Sequence, residues 1–274
     1  MRARSFSGRP KRSLGQNFLV DKNIALKIVD ALSLAQDDIV IEIGPGRGIL
    51  TRYLAERVET LYAVELDGKL AEALKSEYSG EPSVQIITEN FLNFDLNKLG
   101  SVDKKIRLVG NVPYNISSQI VFKALQNAEL ICDMTLMLQK EVAQRVVAGP
   151  RSKAYGILAI QSQIYAEPQI LFHVSPTVFR PRPKVESSVV KWDFYETEKY
   201  ILADPKYFTR FLKAVFSQRR KILKNSLKQL ITDFPEGLIT SYDLNRRPEE
   251  LSVSELVELG NQLFRSRLEH LEQA

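Results

Sequence analysis

"DIVIEIGPGRGILT", residues Asp38 to Thr51, decides how the rest of the chain is read. Its first half is an apolar run of strand length, and its second half is a glycine-rich turn opening onto helical spacing. The same alternation recurs downstream. "TLYAVEL", "VQIIT", "IRLVG" and "MTLMLQ" are further buried-strand candidates, and "GILTRYLAERV", "KLAEALKSEY" and "SQIVFKALQNA" lie between them with helical periodicity. Strands alternating with helices predict a doubly wound, open α/β sheet. "QILFHV" and "ESSVVKWDF", separated by the Pro-rich "SPTVFRPRPKV", predict a terminal antiparallel hairpin added to that sheet. Beyond about Tyr200 the pattern is helical, in "FTRFLKAVFSQRRKILKNSLKQLI" and "SVSELVELGNQLFRSRLEHLEQ". That predicts a small all-α domain, with Ser252 or Ser254 capping its last helix and Glu255 or Glu258 near the positive end.

The totals exclude several classes of chemistry. The chain has 274 residues, 44% hydrophobic and 26% charged, and no apolar stretch of membrane-spanning length. One cysteine, Cys132, rules out a disulfide framework and fits a reducing, cytoplasmic setting. With only His173 and His270 beside it, no metal centre is expected. The net charge of +5 is unevenly spread. Arg2, Arg4, Arg9, Lys11 and Arg12 crowd a segment without acids, and eight more bases lie between Pro205 and Thr232, again without an acid. Such blocks are commonly solvated faces, but two of them point to a polyanionic partner. Gly8 and Pro10 would break the helix of an organelle presequence, so residues 1–14 read as a basic arm.

The glycine turn carries the first functional signal. Gly44, Gly46 and Gly48 allow the backbone to pass close to a ligand. Ile49 stands where a dinucleotide fingerprint needs its third glycine, and no phosphate-loop lysine follows. That disfavours a nicotinamide oxidoreductase and leaves a nucleoside without a pyrophosphate. Glu65, about twenty residues on, suits both ribose hydroxyls. Asn90, ending the third strand, suits an adenine edge. Together these positions describe a site for S-adenosylmethionine.

In order along the chain, "GQNFL", "EIGPGRGILT", "VELD", "GNVPYNIS", "FRPRPKVESSVV" and "FSQRRKIL" make the sequence resemble the bacterial small-subunit ribosomal RNA adenine dimethyltransferases, whose loss confers kasugamycin resistance. The resemblance covers nearly the whole chain. It implies a Rossmann-like methyltransferase domain over 15–198 and a helical RNA-binding domain over 199–274. It implies that Asn17 and Leu19 contact the methyl donor, and that Gly44, Glu65, Asn90 and Asn111 occupy donor-binding positions. The family usually has aspartate where this chain has Asn90, so the charge-assisted part of that contact is lost.

"GNVPYNIS", Gly110 to Ser117, then reads as the catalytic loop. The Asn111 side-chain oxygen and a backbone carbonyl near Pro113 would accept from an adenine's exocyclic amine and turn its lone pair toward the sulfonium methyl. Tyr114 offers a face for the extruded base, and Phe179 either closes the opposite face or is a core residue of the hairpin. RNA is expected on Arg180, Arg182 and Lys184, and on Arg219, Arg220, Lys221, Lys224 and Lys228 at near-helical spacing, with Ile222, Leu223, Leu227 and Leu230 anchoring the other side. The resemblance implies two adjacent adenosines of the last small-subunit rRNA hairpin as substrate, on a pre-30S particle, with a monomeric enzyme. The rivals are a macrolide-resistance type of large-subunit rRNA methyltransferase and a non-catalytic assembly factor.

Overall fold

The computed structural model describes residues 15–100, 104–227 and 243–272, with side chains to 269. The basic arm over 1–14, Lys228, Leu230 and the His270 side chain lie outside the described residues. Contacts divide the chain into two compact units, residues 1–143 with 166–196, and residues 144–165 with 197–274.

The first unit is built on strands β1 (Phe18–Leu19), β2 (Ile39–Ile43), β3 (Thr60–Glu65), β4 (Val84–Thr88), β5 (Ile106–Asn111), β6 (Ile131–Gln139), β7 (Ala166–Val174), β8 (Phe179–Arg180) and β9 (Ser187–Phe194). Seven of them form one sheet in the order β4-β3-β2-β5-β6-β9-β7. β2 to β6 run parallel, and β9 lies antiparallel between β6 and β7. The central strands are apolar almost throughout because helices cover a parallel sheet on both faces. Helices α1 (Lys22–Ala31), α2 (Ile49–Ala55), α3 (Gly68–Glu77) and α4 (Ser117–Gln126) belong to this unit. The strand order reverses between β2 and β5, where an open α/β sheet leaves a crevice at the strands' carboxyl ends.

At the opposite, amino ends of these strands an ion network fastens the sheet. Arg107 on β5 stands in register with Asp133 on β6, donating Nε to Oδ1 at 3.0 Å and Nη2 to Oδ2 at 2.5 Å. Its Nη1 reaches Asp38, just before β2, at 2.6 Å, and its Nη2 also donates to the Leu32 carbonyl. Lys191 on β9 adds a longer contact to Asp133 at 3.7 Å.

Two local elements go beyond the sequence reading. "KNIALKIVDA" forms α1, capped by Asp21 Oδ1, which accepts from Asn23 and Ile24 N–H at 2.9 and 3.1 Å. Ala25, Ile28 and Val29 face the core at helical spacing. The Pro-rich connection between β7 and β9 is not only a turn: β8 pairs antiparallel with β1, Leu19 opposite Phe179 and Phe18 opposite Arg180.

The second unit contains α6 (Ile157–Tyr165), α7 (Pro205–Ser217), α8 (Leu223–Leu227) and α9 (Val253–Glu272), and the division between units falls within α5 (Lys140–Val146). No strand occurs among its described residues. Two corrections arise here. The helical unit takes in 144–165, because Tyr155, Ala159, Ile160 and Ile164 pack with Phe208, Phe211, Leu256 and Leu259. "FTRFLKAVFSQRRKILKNSLKQLI" is also interrupted. α7 ends at Ser217, the chain turns through Gln218 to Lys221, with Lys221 N–H on the Gln218 carbonyl at 2.7 Å, and α8 starts at Leu223.

α9 opens on a reciprocal capping box. Ser252 Oγ accepts from Glu255 N–H at 3.2 Å, and the Glu255 carboxylate accepts from Ser252 N–H at 2.7 Å and from Arg246 Nη1 at 2.5 Å. The Arg246 hydrogen bond, ahead of the Ser252 bonds, holds the Glu255 carboxyl down to about 2. A folded-state value below the unfolded one means the contribution is present above about pH 4.5 and is lost as pH falls toward 2. Glu255→Gln is therefore expected to lower the melting temperature of the helical unit at pH 7 and to have no effect near pH 2. Equal losses at both pH values would remove the carboxylate from this role.

Candidate active site

The loops after β2, β3, β4 and β5, together with residues 15–19, surround one pocket at the switch point of the sheet. Asn17, Leu19, Gly44, Gly46, Glu65, Asn90, Asn111, Pro113 and Tyr114 all line it. The chain brings them together from five separate segments because parallel strands deliver their carboxyl ends to one edge.

Gly44, Gly46 and Gly48 have φ of 66°, 60° and 76°, a run that residues with a Cβ adopt only under strain. A Cβ on Gly44 would meet no atom within 4 Å, whereas one on Gly46 would lie 3.0 Å from the Phe18 ring. The turn is therefore open at Gly44 and packed at Gly46. Glu65 is 6% exposed, and its two oxygens accept from Gly46 N–H at 3.0 Å and Asp67 N–H at 2.8 Å. Burial pushes its carboxyl above the usual range, opposed by those two backbone donors. Each oxygen keeps a lone pair for a further donor. Asn90 Oδ1 accepts from Leu92 N–H at 3.0 Å, which folds the loop after β4 into a tight turn.

Asn111 sits at the tip of β5. Gly110 before it is required by packing, since a Cβ there would lie 2.6 Å from the Ile43 carbonyl oxygen. The Asn111 side chain donates Nδ2 to the Asn17 carbonyl at 3.0 Å. A carbonyl can only accept, so this contact fixes the amide's orientation and leaves Oδ1 as an acceptor. The Pro113 carbonyl accepts from Ile116 N–H at 3.2 Å and the Tyr114 carbonyl from Ser117 Oγ at 3.0 Å, both within the turn that starts α4. The Tyr114 hydroxyl is bonded to Ser187 Oγ, at the start of β9, at 2.7 Å.

Phe179 requires a correction. It is fully buried, packs with Leu19, Val29, Val174 and Val189, and is absent from the pocket wall. Alternate residues of a strand face opposite sides, so β8 turns Phe179 into the core and Arg180 outward. Reasoning from sequence also missed several wall residues. Phe18 packs on Gly46, with the Arg47 guanidinium 4.8 Å from its ring. Leu66 is 51% exposed at the wall, and Phe91 is buried there. Glu42 is 1% exposed with Oε2 lacking a hydrogen-bond partner among the described residues, and burial, reinforced by Glu65, pushes its carboxyl up to about 8. Phe18, Arg47, Leu66 and Phe91 are each adjacent to a motif residue already singled out, and Glu42 opens the quoted "EIGPGRGILT", which is the signal that was available.

Comparison with known proteins fits this geometry. The model of the family described as ribosomal RNA adenine dimethylase matches residues 8–255. The chain belongs to this family. It is 45% identical over 253 residues, 92% of its length, to ribosomal RNA small subunit methyltransferase A of Chlorobium phaeobacteroides, 93% of which is covered. It is 40% identical over 256 residues to the protein of that name from Saccharophagus degradans, covering 93% of this chain and 95% of the other. Two solved structures, each 24% identical, share the fold. A dimethyladenosine transferase from Plasmodium falciparum gives a TM-score of 0.76 over 88% of this chain and 95% of its own. The 23S rRNA methyltransferase ErmE gives 0.68 over 90% of this chain and 100% of its own.

The basic residues expected to meet RNA fall into three groups. Arg182, Lys184, Arg220, Lys221 and Lys224 are exposed. Arg219 is instead committed within the helical unit: it meets Glu249 at 3.3 Å and donates to the Lys153 carbonyl at 2.9 Å. The turn after α7 directs its guanidinium back onto the 149–155 loop, which continuous helical spacing did not anticipate. Arg180 is intermediate, exposed but with Nη1 on the carbonyls of Thr177 and Phe179 at 3.0 and 2.8 Å.

Proposed function

We propose that the protein transfers methyl groups from S-adenosylmethionine to N6 of two adjacent adenosines in the 3′-terminal hairpin loop of small-subunit rRNA, producing N6,N6-dimethyladenosines. It acts as a cytoplasmic monomer on a pre-30S particle. The observation that carries this reading is the Asn111 amide, oriented by the Asn17 carbonyl so that Oδ1 is presented in the pocket that also holds Gly44 and Glu65.

The donor's ribose is assigned to Glu65, its adenine to Asn90 with Leu66 and Phe91 alongside, and its amino-acid end to the open side of the turn at Gly44. A cationic sulfonium donor favours ionised Glu42 and Glu65 when bound. The target adenine enters beside Tyr114, whose ring is held by the Ser187 bond and offers a stacking face worth about 1–3 kcal/mol. Asn111 Oδ1 takes one hydrogen of the N6 amine. The Pro113 and Tyr114 carbonyls each accept one turn hydrogen bond, and the second acceptor is assigned to the Val112 carbonyl, next to Asn111 in the pocket wall. Two acceptors draw the nitrogen toward a pyramidal geometry and free its lone pair for in-line attack on the methyl carbon. The C–S bond breaks as the N–C bond forms, and the methylated ammonium releases its proton to solvent. Catalysis is mainly alignment, which can supply roughly 7–11 kcal/mol. Arg182, Lys184, Arg220, Lys221 and Lys224 hold phosphates, with Arg180 as a further contact.

Labelled methyl groups are expected in unmodified small subunits, with N6,N6-dimethyladenosine recovered on nucleoside analysis. Primer extension over both subunits gives the decisive contrast, since a mark found only on large-subunit RNA would overturn the assignment. Asn90→Asp keeps the bond to Leu92 N–H and adds charge toward an amine donor. Calorimetry is expected to find donor binding tightened or unchanged, and marked weakening would remove the adenine contact.

A further inference from the structure

The loop after β4 carries two walls of the pocket, Asn90 and Phe91, and its own sequence supplies two buried anchors, Phe91 and Phe94, and the turn bond from Leu92 N–H to Asn90 Oδ1. Its entry is fixed where Glu89 N–H donates to the Glu65 carbonyl at 3.1 Å. Within the turn, Asn93 and Phe94 N–H both meet the Asn90 carbonyl, at 2.9 and 3.1 Å. The far side is held by one side chain from another element. Lys123, on α4, donates Nζ to the Leu92 carbonyl at 3.0 Å and to the Phe94 carbonyl at 2.5 Å, and lies 5.6 Å from the centroid of Phe91.

A lysine is an expensive way to fill space at this position. Its stem could be replaced by methionine with little loss of packing, but a half-buried ammonium must be compensated, and here two carbonyls compensate it. Burial lowers its pKa, opposed by Asp95 and Glu89. The carbonyl it binds on Leu92 belongs to the residue whose N–H holds the Asn90 side chain. Removing the ammonium would therefore loosen the turn at the residues facing the pocket, while the apolar anchors Phe91 and Phe94 remain.

We infer that Lys123 is a positioning residue for the purine end of the methyl-donor site: it clamps the 89–94 turn so that Asn90 and Phe91 are preset before the ligand arrives. This rests on the proposed reading of the pocket as a site for S-adenosylmethionine. The role touches no reacting atom, so its loss belongs in donor affinity rather than in the chemical step.

The test uses the full-length protein and two donor-site ligands, S-adenosylhomocysteine and 5′-methylthioadenosine, the latter lacking the amino-acid end. Lys123→Met is expected to weaken both by the same factor, about tenfold. At saturating donor, kcat and the KM for small subunits are expected to stay within about twofold of wild type. Lys123→Arg, which retains donors for both carbonyls, is expected to recover most of the affinity. Unchanged ligand affinity in Lys123→Met overturns the inference. So does a loss confined to S-adenosylhomocysteine, or an equal loss in donor binding, subunit KM and kcat, which would mark general unfolding. Lys123→Gln, read by the same criteria, decides the matter should the methionine variant not fold. Wild-type protein that binds neither ligand would instead defeat the reading of the pocket itself.

Discussion

Asn111→Ala is expected to slow single-turnover methyl transfer about a thousandfold, equivalent to about 4 kcal/mol of barrier. The adenine N6 lone pair is delocalised into the ring, so the enzyme's work is to hold the amine where the lone pair can reach the methyl carbon. Asn111 Oδ1 is one of two acceptors assigned to that task, and its orientation is set by the 3.0 Å bond from Nδ2 to the Asn17 carbonyl. Alanine removes the acceptor and the tie to the 15–19 segment together. Donor affinity is therefore expected to fall several-fold, far less than the rate, and subunit binding through the exposed bases is expected to persist. A rate within tenfold of wild type would show that the amide does not direct the nucleophile. Methyl transfer abolished together with subunit binding would point to a folding defect, which a thermal melt of the variant resolves.

The second large effect concerns stability. Arg107→Met is expected to cost about 3–5 kcal/mol, because it leaves Asp133 largely uncompensated inside the sheet. The side chains of Arg107 and Asp133 are 11% and 3% exposed, so solvent can do little to replace the lost partner. Lys191 remains, but only at 3.7 Å, and it is also engaged with Asp193 at 2.6 Å. The transition of the sheet unit should move down by about 10 °C. Arg107→Met combined with Asp133→Leu is expected to recover most of that loss, since an apolar pair of similar volume avoids the desolvation cost. Activity well below the transition is expected to be near normal, because the network lies at the strands' amino ends and the pocket at their carboxyl ends. A midpoint within about 2 °C of wild type would place the network among weak, solvated ion pairs.

The sheet was legible because its central strands are buried on both faces and appear as largely apolar runs. The candidate site was legible because parallel strands bring successive loops to one edge, so motifs scattered from Asn17 to Tyr114 had to converge. Phe179 stayed open between a stacking face and a hairpin core residue because a Pro-rich stretch gives no sign of pairing. Only the antiparallel bridge to Leu19 shows which side of the chain is core. Arg219 was misplaced because helical spacing in "FSQRRKILKN" persists through a turn that breaks the helix. The spacing could not tell that its guanidinium faces Glu249 and the Lys153 carbonyl.

By itself, then, the sequence determined the α/β architecture, the family and the segments that line the candidate pocket, since periodicity and ordered motifs are local properties of the chain. Tertiary structure alone decided which way side chains point and which long-range partners they meet. The Asn111 amide oriented by Asn17, the turn after β4 held by Lys123, and the burial of Phe179 all depend on contacts between distant segments. No local pattern encodes those contacts.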